Sequence, residues 1–241
     1  ELLIIGGASG VGKTIFGLQT ARNMVFADPD ATAMYICYEH DRTHLLLRLL
    51  CLESAERGML DGALTLSKLA DMAVNGRKDI GLVSQLQAMP RYAPVIAAME
   101  SYANRLILVK ASGSTSTLTQ IESWAHTLAS GGSQSVLVVD YLQKIPVDHS
   151  ALQLETETTT YLAQGLKELA MVTGLRMIAI AASDRVGLKS TRMRLSDLRG
   201  SSALQYEADI GLVLNNKFNI VSREHMIYNV SQADAMRSSV V

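Results

Sequence analysis

Short apolar runs recur along the chain and alternate with segments in which apolar residues have helical spacing. A short, continuous apolar run bounded by turns is typical of a strand that is buried on both faces. Strands separated by helices indicate a parallel sheet with helices on both sides, which is an α/β fold. The predicted strands are residues 2–5, 33–38, 105–109, 135–140, 176–182, 210–214 and 225–230.

The segments between these strands predict helices at residues 13–26, 41–53, 117–129 and 155–173. The last two predicted strands follow each other without a helix, which favours an antiparallel edge at the C-terminal end of the sheet. Residues 54–104 have a helical pattern but fit the strand and helix alternation poorly. We therefore expect one domain over residues 1–241, with a helical insertion at 54–104 whose role the pattern does not indicate.

A glycine-rich stretch, GGASGVGKT, follows the first predicted strand and opens the first predicted helix. Its spacing, G-x-x-x-x-G-K-T, is the P-loop pattern, whose backbone N–H groups surround phosphates. In this pattern Lys13 reaches the β- and γ-phosphates and the Thr14 hydroxyl binds Mg²⁺. A glycine-rich turn with a chance lysine is the alternative. The predicted nucleotide-binding residues are Gly7, Ala8, Ser9, Gly10, Val11, Gly12, Lys13, Thr14 and Ile15.

Two carboxylates end predicted strands, where ligands bind at the carboxyl edge of such sheets. Asp140 closes the run SVLVVD and is the candidate for holding Mg²⁺ through water, with a helix or turn cap as the alternative. Glu39 closes the run before EHDRTH and is the candidate for orienting or deprotonating the attacking water. The alternative for Glu39 is a surface carboxylate. Glu39 and Lys13 are the predicted catalytic residues.

The stretch after Glu39 also contains His40 and His44, spaced as metal ligands on a helix would be. No third ligand is evident, so two surface histidines on the following helix are a better interpretation than a zinc site.

A basic segment lies late in the chain, in residues 185–202. Between Arg185 and Arg199 there are five basic residues and one acid. Such a local excess is what binding to nucleic-acid phosphates needs, although a solvated basic loop is the alternative. Aromatic residues are absent from 183–204, so we expect backbone contacts rather than base stacking. The predicted DNA-binding residues are Arg185, Lys189, Arg192, Arg194, Arg199, Gly200 and Ser202.

Composition narrows these possibilities. The chain has 241 residues, 48% of them apolar, and its 22 basic and 23 acidic residues nearly cancel. A field over the whole protein that attracts nucleic acid is thereby excluded, and only a local patch remains. The two cysteines, Cys37 and Cys51, lie in apolar surroundings and suggest reduced thiols in a cytoplasmic protein. The apolar runs are shorter than the ~20 residues that span a bilayer, so no membrane partner is expected.

Three further motifs resemble those of DnaB-type replicative helicases. YICYEHDRTHLLLRLL is similar to their strand, glutamate and helix motif, and VLVVDYLQKI resembles their Walker B strand. LSDLRGSSALQYEADIGLVL resembles their downstream motif. The order and spacing also match, from the P-loop to residue 214, and residues 54–104 match only in length and helical character.

The resemblance implies a RecA-like core in a hexameric ring, with ATP and Mg²⁺ bound between neighbouring subunits and translocation on single-stranded DNA. It gives Glu39 the role of catalytic base and Asp140 that of the Mg²⁺ acid. It places Arg199, Gly200 and Ser202 on the loop that touches DNA phosphates in the family. Because the chain begins abruptly within a strand, we expect it to be a piece of a longer protein.

The chain departs from the family at three places. Ser183 stands near the position of a glutamine that senses the γ-phosphate, and serine is too short for that task. The DNA loop reads R-G-S-S instead of R-E-S-G, with one acid fewer. The late lysine and arginine that reach the neighbouring subunit's phosphates have no good match, since only Arg237 follows the last predicted strand.

These departures leave two rival interpretations. One is a RecA- or KaiC-like ATPase without helicase activity, acting as a DNA-associated or regulatory oligomeric module. The other is an assembly module in which ATP only stabilises an oligomer. A small-molecule kinase fits less well, because no arginine-rich lid segment is evident.

Overall fold

The computed structural model has a six-stranded sheet at its centre, and it describes residues 1–58, 62–76, 79–131, 134–147, 155–183 and 192–216. Six of the seven predicted strands are present to within a few residues, and those at the centre of the sheet are buried apolar runs. Its strands are β1 (Leu2–Gly7), β2 (Thr32–Cys37), β3 (Leu106–Lys110), β4 (Ser135–Asp140), β5 (Arg176–Ile180) and β6 (Ile210–Leu214).

The strand order is β3-β2-β4-β5-β1-β6, and each pair is parallel. All six strands therefore end at the same edge of the sheet, where the registers align Cys37 with Asp140 and Asp140 with Ile180. The loop after β1 reaches the same edge, because Gly7 aligns with Leu214. This edge is where a parallel α/β sheet binds its ligands.

Helices cover both faces of the sheet, which confirms the prediction of an α/β fold. Alternation along β4 sends Leu137 and Val139 to one core and Val136 and Val138 to the other. The first core includes residues of α6 (Leu118–Ser130), α7 (Glu155–Thr173) and α8 (Ser201–Glu207). The second includes residues of α1 (Lys13–Ala27) and α2 (Arg42–Glu56).

The described residues of the 54–104 region are largely helical, as predicted. They form α3 (Leu66–Asn75), α4 (Leu82–Gln87) and α5 (Ala93–Glu100). These helices share a small apolar core with α2 that includes Leu50, Leu69 and Leu86. A buried ion pair joins α2 to α1, since Arg22 Nε donates to Glu53 Oε1 at 2.6 Å. The Tyr102 hydroxyl, near the end of the 54–104 region, donates to the same oxygen at 2.8 Å.

Of the two strands predicted to form an antiparallel edge, the structure describes one. β6 itself runs parallel to β1, and residues 225–230, the predicted strand that would lie antiparallel to it, fall outside the described residues. The antiparallel pairing stays a prediction. Among the described helices, none combines the length and the apolar character that crossing a membrane requires.

Candidate active site

The P-loop connects β1 to α1 at the carboxyl edge of the sheet. Gly12 immediately precedes α1 with φ 99°, and Gly10 has φ 78°, conformations that side chains with a Cβ rarely adopt. The loop also lies against the end of β6, because a Cβ on Gly7 would come within 2.8 Å of the Leu214 carbonyl oxygen. The loop therefore presents the N-terminus of α1, with its unpaired N–H groups, to the space above the sheet.

Lys13 closes the P-loop on itself. Its Nζ donates hydrogen bonds to the carbonyl oxygens of Gly7 at 2.8 Å and Ala8 at 2.9 Å. Burial lowers the pKa of Lys13, while the negative charges of Asp140 and Glu39 act in the opposite direction. The ammonium group is thus held inside the loop, near enough to both predicted carboxylates for their charges to act on it.

Asp140 is a buried carboxylate at the end of β4, with only 1% of its surface exposed. Its Oδ2 accepts a hydrogen bond from the Tyr35 hydroxyl at 2.9 Å, but its Oδ1 is buried without a hydrogen-bond partner. Burial raises the pKa of Asp140, and the nearby hydroxyls of Thr14 and Tyr35 act in the opposite direction. Leaving a charged oxygen unsatisfied is costly, so this arrangement fits a cation-binding oxygen better than a helix or turn cap.

Cys37 lies beside Asp140, with its Sγ 3.7 Å from Asp140 Oδ2. Burial raises the pKa of the Cys37 thiol to about 11, so the thiol is protonated at neutral pH. Cys37 and the half-buried Cys51 are both free, as predicted.

Glu39 lies two residues beyond the end of β2 and is exposed to solvent, in contrast to Asp140. It lines the same cleft as the P-loop, Asp140 and Ser183. The cleft therefore brings together four separate stretches of the chain. The cleft has a volume of about 450 Å³. Its lining residues are Ser9, Gly10, Gly12, Lys13, Thr14, Ile15, Glu39, His40, His44, Arg48, Asp140, Tyr141, Ala182 and Ser183.

The interpretation of His40 and His44 as surface residues on the following helix is confirmed in part, because His44 lies on α2. Both are half-buried and line the cleft, and His40 precedes α2 rather than lying on it. Their rings stack with centroids 4.3 Å apart. Asp41 caps the N-terminus of α2 by accepting a hydrogen bond from the His44 N–H at 2.7 Å. Within the described parts of the chain no group of three or more potential metal ligands occurs.

Arg48 is a cleft residue that the sequence analysis missed. Its Nε donates a hydrogen bond to His44 Nε2 at 3.3 Å, which requires that nitrogen to be unprotonated. Burial, followed by the charges of His40 and Arg48, lowers the pKa of His44, which agrees with a neutral ring. The signal available in the sequence was the helical spacing of His44 and Arg48, four residues apart on the helix that follows Glu39.

The described residues of the basic segment are not among those that line the cleft. Arg192, Arg194, Arg199 and Ser202 are exposed, and Gly200 packs against Thr159 of α7 with φ 73°. Gly200 therefore has a structural reason to be glycine. Arg185 and Lys189 fall outside the described residues.

Two side-chain amides anchor the basic segment to the sheet. Asn215, which follows β6, accepts from the Met193 N–H at 2.7 Å and donates to the Met193 carbonyl at 3.0 Å. Gln143, in a 3₁₀ turn after β4, donates to the Arg199 carbonyl at 3.2 Å. Between these anchors, Leu198 is buried against Gly6 of β1, where a Cβ would come within 2.5 Å of the leucine side chain. The segment is thus attached directly to the strands that end at the cleft.

Comparison with known proteins supports these observations. Residues 1–235 match the model of the DnaB-like helicase C-terminal domain. The chain is 25% identical over 219 residues to the replicative DNA helicase DnaB of Treponema pallidum, covering 91% of this chain and 44% of that protein. It is 24% identical over 212 residues to the DnaB of Geobacillus stearothermophilus, covering 87% and 42%. The chain therefore spans less than half the length of these relatives.

Solved structures show the same fold. One of them, an ATPase domain, superposes with a TM-score of 0.69 and 20% identity, over 88% of this chain and 68% of that one. A DnaB-like replicative helicase, solved in a study of its interactions with primase, superposes with a TM-score of 0.66 and 21% identity, over 88% of this chain and 46% of that one.

Proposed function

Because the chain belongs to the DnaB-like helicase C-terminal domain family, we propose that it is the ATP-hydrolysing motor domain of a hexameric DNA helicase that translocates on single-stranded DNA. The observation that carries the proposal is the buried Asp140 carboxylate, which has an unsatisfied oxygen and lines one cleft with the P-loop and Glu39. These residues together suit the hydrolysis of a nucleoside triphosphate as well as its binding.

The P-loop residues bind the triphosphate in this proposal. The backbone of Ser9, Gly10 and Gly12 supplies N–H donors at the positive end of α1. Lys13 exchanges its bonds to the Gly7 and Ala8 carbonyls for bonds to phosphate oxygens, for which its ammonium is already in the loop. Arg48 adds a second cation to the opposite wall of the cleft.

Thr14 and Asp140 fit a Mg²⁺ ion, since the buried Oδ1 of Asp140 lacks a partner and hydroxyl and carboxylate oxygens are the ligands this ion prefers. When bound, the ion would neutralise charge on the phosphates. The Tyr35 hydroxyl holds Oδ2 of Asp140 and orients the carboxylate.

Glu39 acts on the attacking water. It is exposed at the cleft surface, where water is available, whereas Asp140 is buried and committed to the metal site. Glu39 orients the water and accepts its proton as the oxygen attacks the γ-phosphorus, and the bond to the leaving ADP breaks. The two carboxylates thus divide the work by their environments.

The exposed arginines of the basic segment contact DNA phosphates in this proposal. Arg192, Arg194 and Arg199 present side chains to solvent from a segment whose backbone is anchored to the sheet. Exposed cations on a fixed backbone suit contact with a regular phosphate chain without base recognition. Assembly into a ring would bring a neighbouring subunit to the open side of the cleft.

The test is the rate of ATP hydrolysis by the full chain with and without single-stranded DNA, over a series of salt concentrations. We expect DNA to stimulate hydrolysis and salt to weaken the effect, because each phosphate contact contributes about 0.7 to the slope of log affinity against log salt. Unwinding of a forked duplex is then measured on the same preparation.

Two other outcomes would overturn the proposal in different ways. Hydrolysis that DNA does not affect at low salt would favour a regulatory ATPase, and the short Ser183 side chain in the cleft is the observation consistent with that function. ATP-dependent assembly with negligible hydrolysis would favour an assembly module.

A further inference from the structure

Gln143 makes two hydrogen bonds with opposite ends of its side-chain amide. Its Oε1 accepts from the N–H of Ala182 at 3.0 Å, and its Nε2 donates to the carbonyl of Arg199 at 3.2 Å. Ala182 lies just after β5 and lines the nucleotide cleft, whereas Arg199 belongs to the basic segment. One half-buried side chain therefore bridges the two regions to which the proposed function assigns nucleotide and DNA.

The backbone closes the same connection. The Arg199 N–H donates to the Ala182 carbonyl at 3.1 Å, and Ser183 pairs with Leu198 as an isolated antiparallel bridge. Gln143 thus completes a ring of hydrogen bonds in which the N–H and C=O groups of Ala182 and Arg199 all take part. Ala182 and Arg199 are thus joined both by a direct backbone hydrogen bond and through the side-chain amide of Gln143.

Gln143 is also close in the chain to Asp140, the carboxylate of the proposed metal site. It lies three residues after Asp140, in the 3₁₀ turn Leu142–Lys144, and Leu142 is fully buried. Any movement of the β4 end relative to the β5 end changes the two bonds of the amide directly.

We propose that Gln143 is the positioning residue that couples the nucleotide cleft to the DNA-binding segment in this protein. This inference rests on the proposed function and adds the residue through which that function is transmitted. Within the described part of the chain its side-chain hydrogen bonds are made to protein backbone, so it acts on DNA through the placement of Arg199.

Asn215 provides the matched comparison. It anchors the same segment with an equally good pair of bonds, but to Met193, and its remaining bond is to Val213 of its own strand. A residue that merely holds the segment in place would behave as Asn215 does. A coupling residue would behave differently. Of the two anchoring amides, Gln143 is the one that also bonds to the end of β5.

The experiment measures the affinity of the full chain for a labelled oligothymidylate, with a non-hydrolysable ATP analogue and with ADP. The ratio of the two dissociation constants is the coupling, and values of ~5-fold or more are typical of linked sites. The variants are Gln143→Ala, Gln143→Glu and Asn215→Ala, with Gln87→Ala on α4 as the surface control. Gln143→Glu keeps the acceptor for Ala182 but places an oxygen against the Arg199 carbonyl, so it breaks only the DNA side.

We expect both Gln143 variants to bring the ratio close to 1. Asn215→Ala weakens DNA binding alike in both nucleotide states and keeps the ratio, and Gln87→Ala changes neither constant. Because the readout is a ratio, a general change in affinity cancels. Should Gln143→Ala fail to fold, Gln143→Glu retains nearly the same volume and carries the test.

Two results would overturn the inference while leaving the proposed function intact: wild-type coupling in both Gln143 variants, or an equal loss of coupling in Asn215→Ala. Failure of the proposed function itself has a different signature, since wild-type hydrolysis would then be unaffected by DNA.

Discussion

The nucleotide cleft and the basic segment place their charges in opposite ways. In the cleft, Asp140 is buried with 1% exposure and Lys13 is folded into its own loop, so the charges are desolvated and their positions are defined by packing. In the basic segment the side chains of Arg192, Arg194 and Arg199 are exposed, and side-chain amides anchor the backbone that carries them. Bond-making at one phosphorus needs fixed, desolvated charges, whereas contact with a repeating phosphate chain tolerates exposed and adaptable ones.

The strongest test of this comparison removes the proposed base. Glu39→Gln keeps the shape of the side chain but cannot accept a proton, so we expect turnover to fall by ~10²–10⁴-fold. ATP binding, measured by fluorescence of a labelled analogue, should be retained because Glu39 is not part of the P-loop. Glu122→Gln, an exposed carboxylate on α6, is the control. Unchanged turnover in Glu39→Gln would remove this residue from the mechanism.

The second test concerns the buried charge. Asp140→Asn should raise the Mg²⁺ concentration for half-maximal turnover by ~10–100-fold, a typical cost of losing a water-mediated metal contact. It should also raise the melting temperature without metal. Since burial raises the pKa of Asp140 in the folded state, the folded protein binds more protons than the unfolded chain between the two pKa values. Stability from this group is therefore lost as pH rises through that window.

The measurement that checks the sign is thermal unfolding of both proteins in chelator. The gain of Asp140→Asn over the wild type should grow as pH increases from about 4 to about 7. A gain that shrinks with rising pH would mean that the carboxylate is stabilised by partners in the folded protein.

The third test moves to the exposed region. Arg199→Ala should decrease the slope of log DNA affinity against log salt by about 0.7, the value for one phosphate contact on a single strand. Arg176→Ala is the matched control, because Arg176 is also exposed but lies at the amino end of β5, away from the carboxyl edge. Equal effects of the two substitutions would indicate a general charge effect rather than a defined contact.

The smallest expected effect concerns His44, at the border of the cleft. Burial and the neighbouring charges of His40 and Arg48 lower the pKa of His44 below 6.5, so the unfolded chain binds more protons than the folded protein between the two pKa values. Stability from this group is then present at neutral pH and is lost as pH falls through that window.

His44→Gln should therefore reduce the drop in melting temperature between about pH 7.5 and pH 5.5. His126→Gln, at an exposed position of α6, is the control for a histidine outside the cleft. An unchanged pH dependence in His44→Gln would show that His44 does not carry this loss.

The sequence alone predicted the strands, the principal helices and most of the residues that the cleft contains. This was possible because the information is local. Each strand is an uninterrupted apolar run, the P-loop is one contiguous motif, and Glu39 and Asp140 each come at or just beyond the end of such a run. Parallel strands end at one edge, so acids at strand ends can be expected to meet there.

Only the tertiary structure decided which side chains converge between elements. The positions of His44 and Arg48 in the cleft depend on the direction in which α2 leaves the sheet. The two bonds of Gln143 join residues 39 and 56 positions away along the chain. No periodicity encodes such contacts, because strand order and helix direction are set by the packing of the whole core, and distances across strands follow from that packing alone.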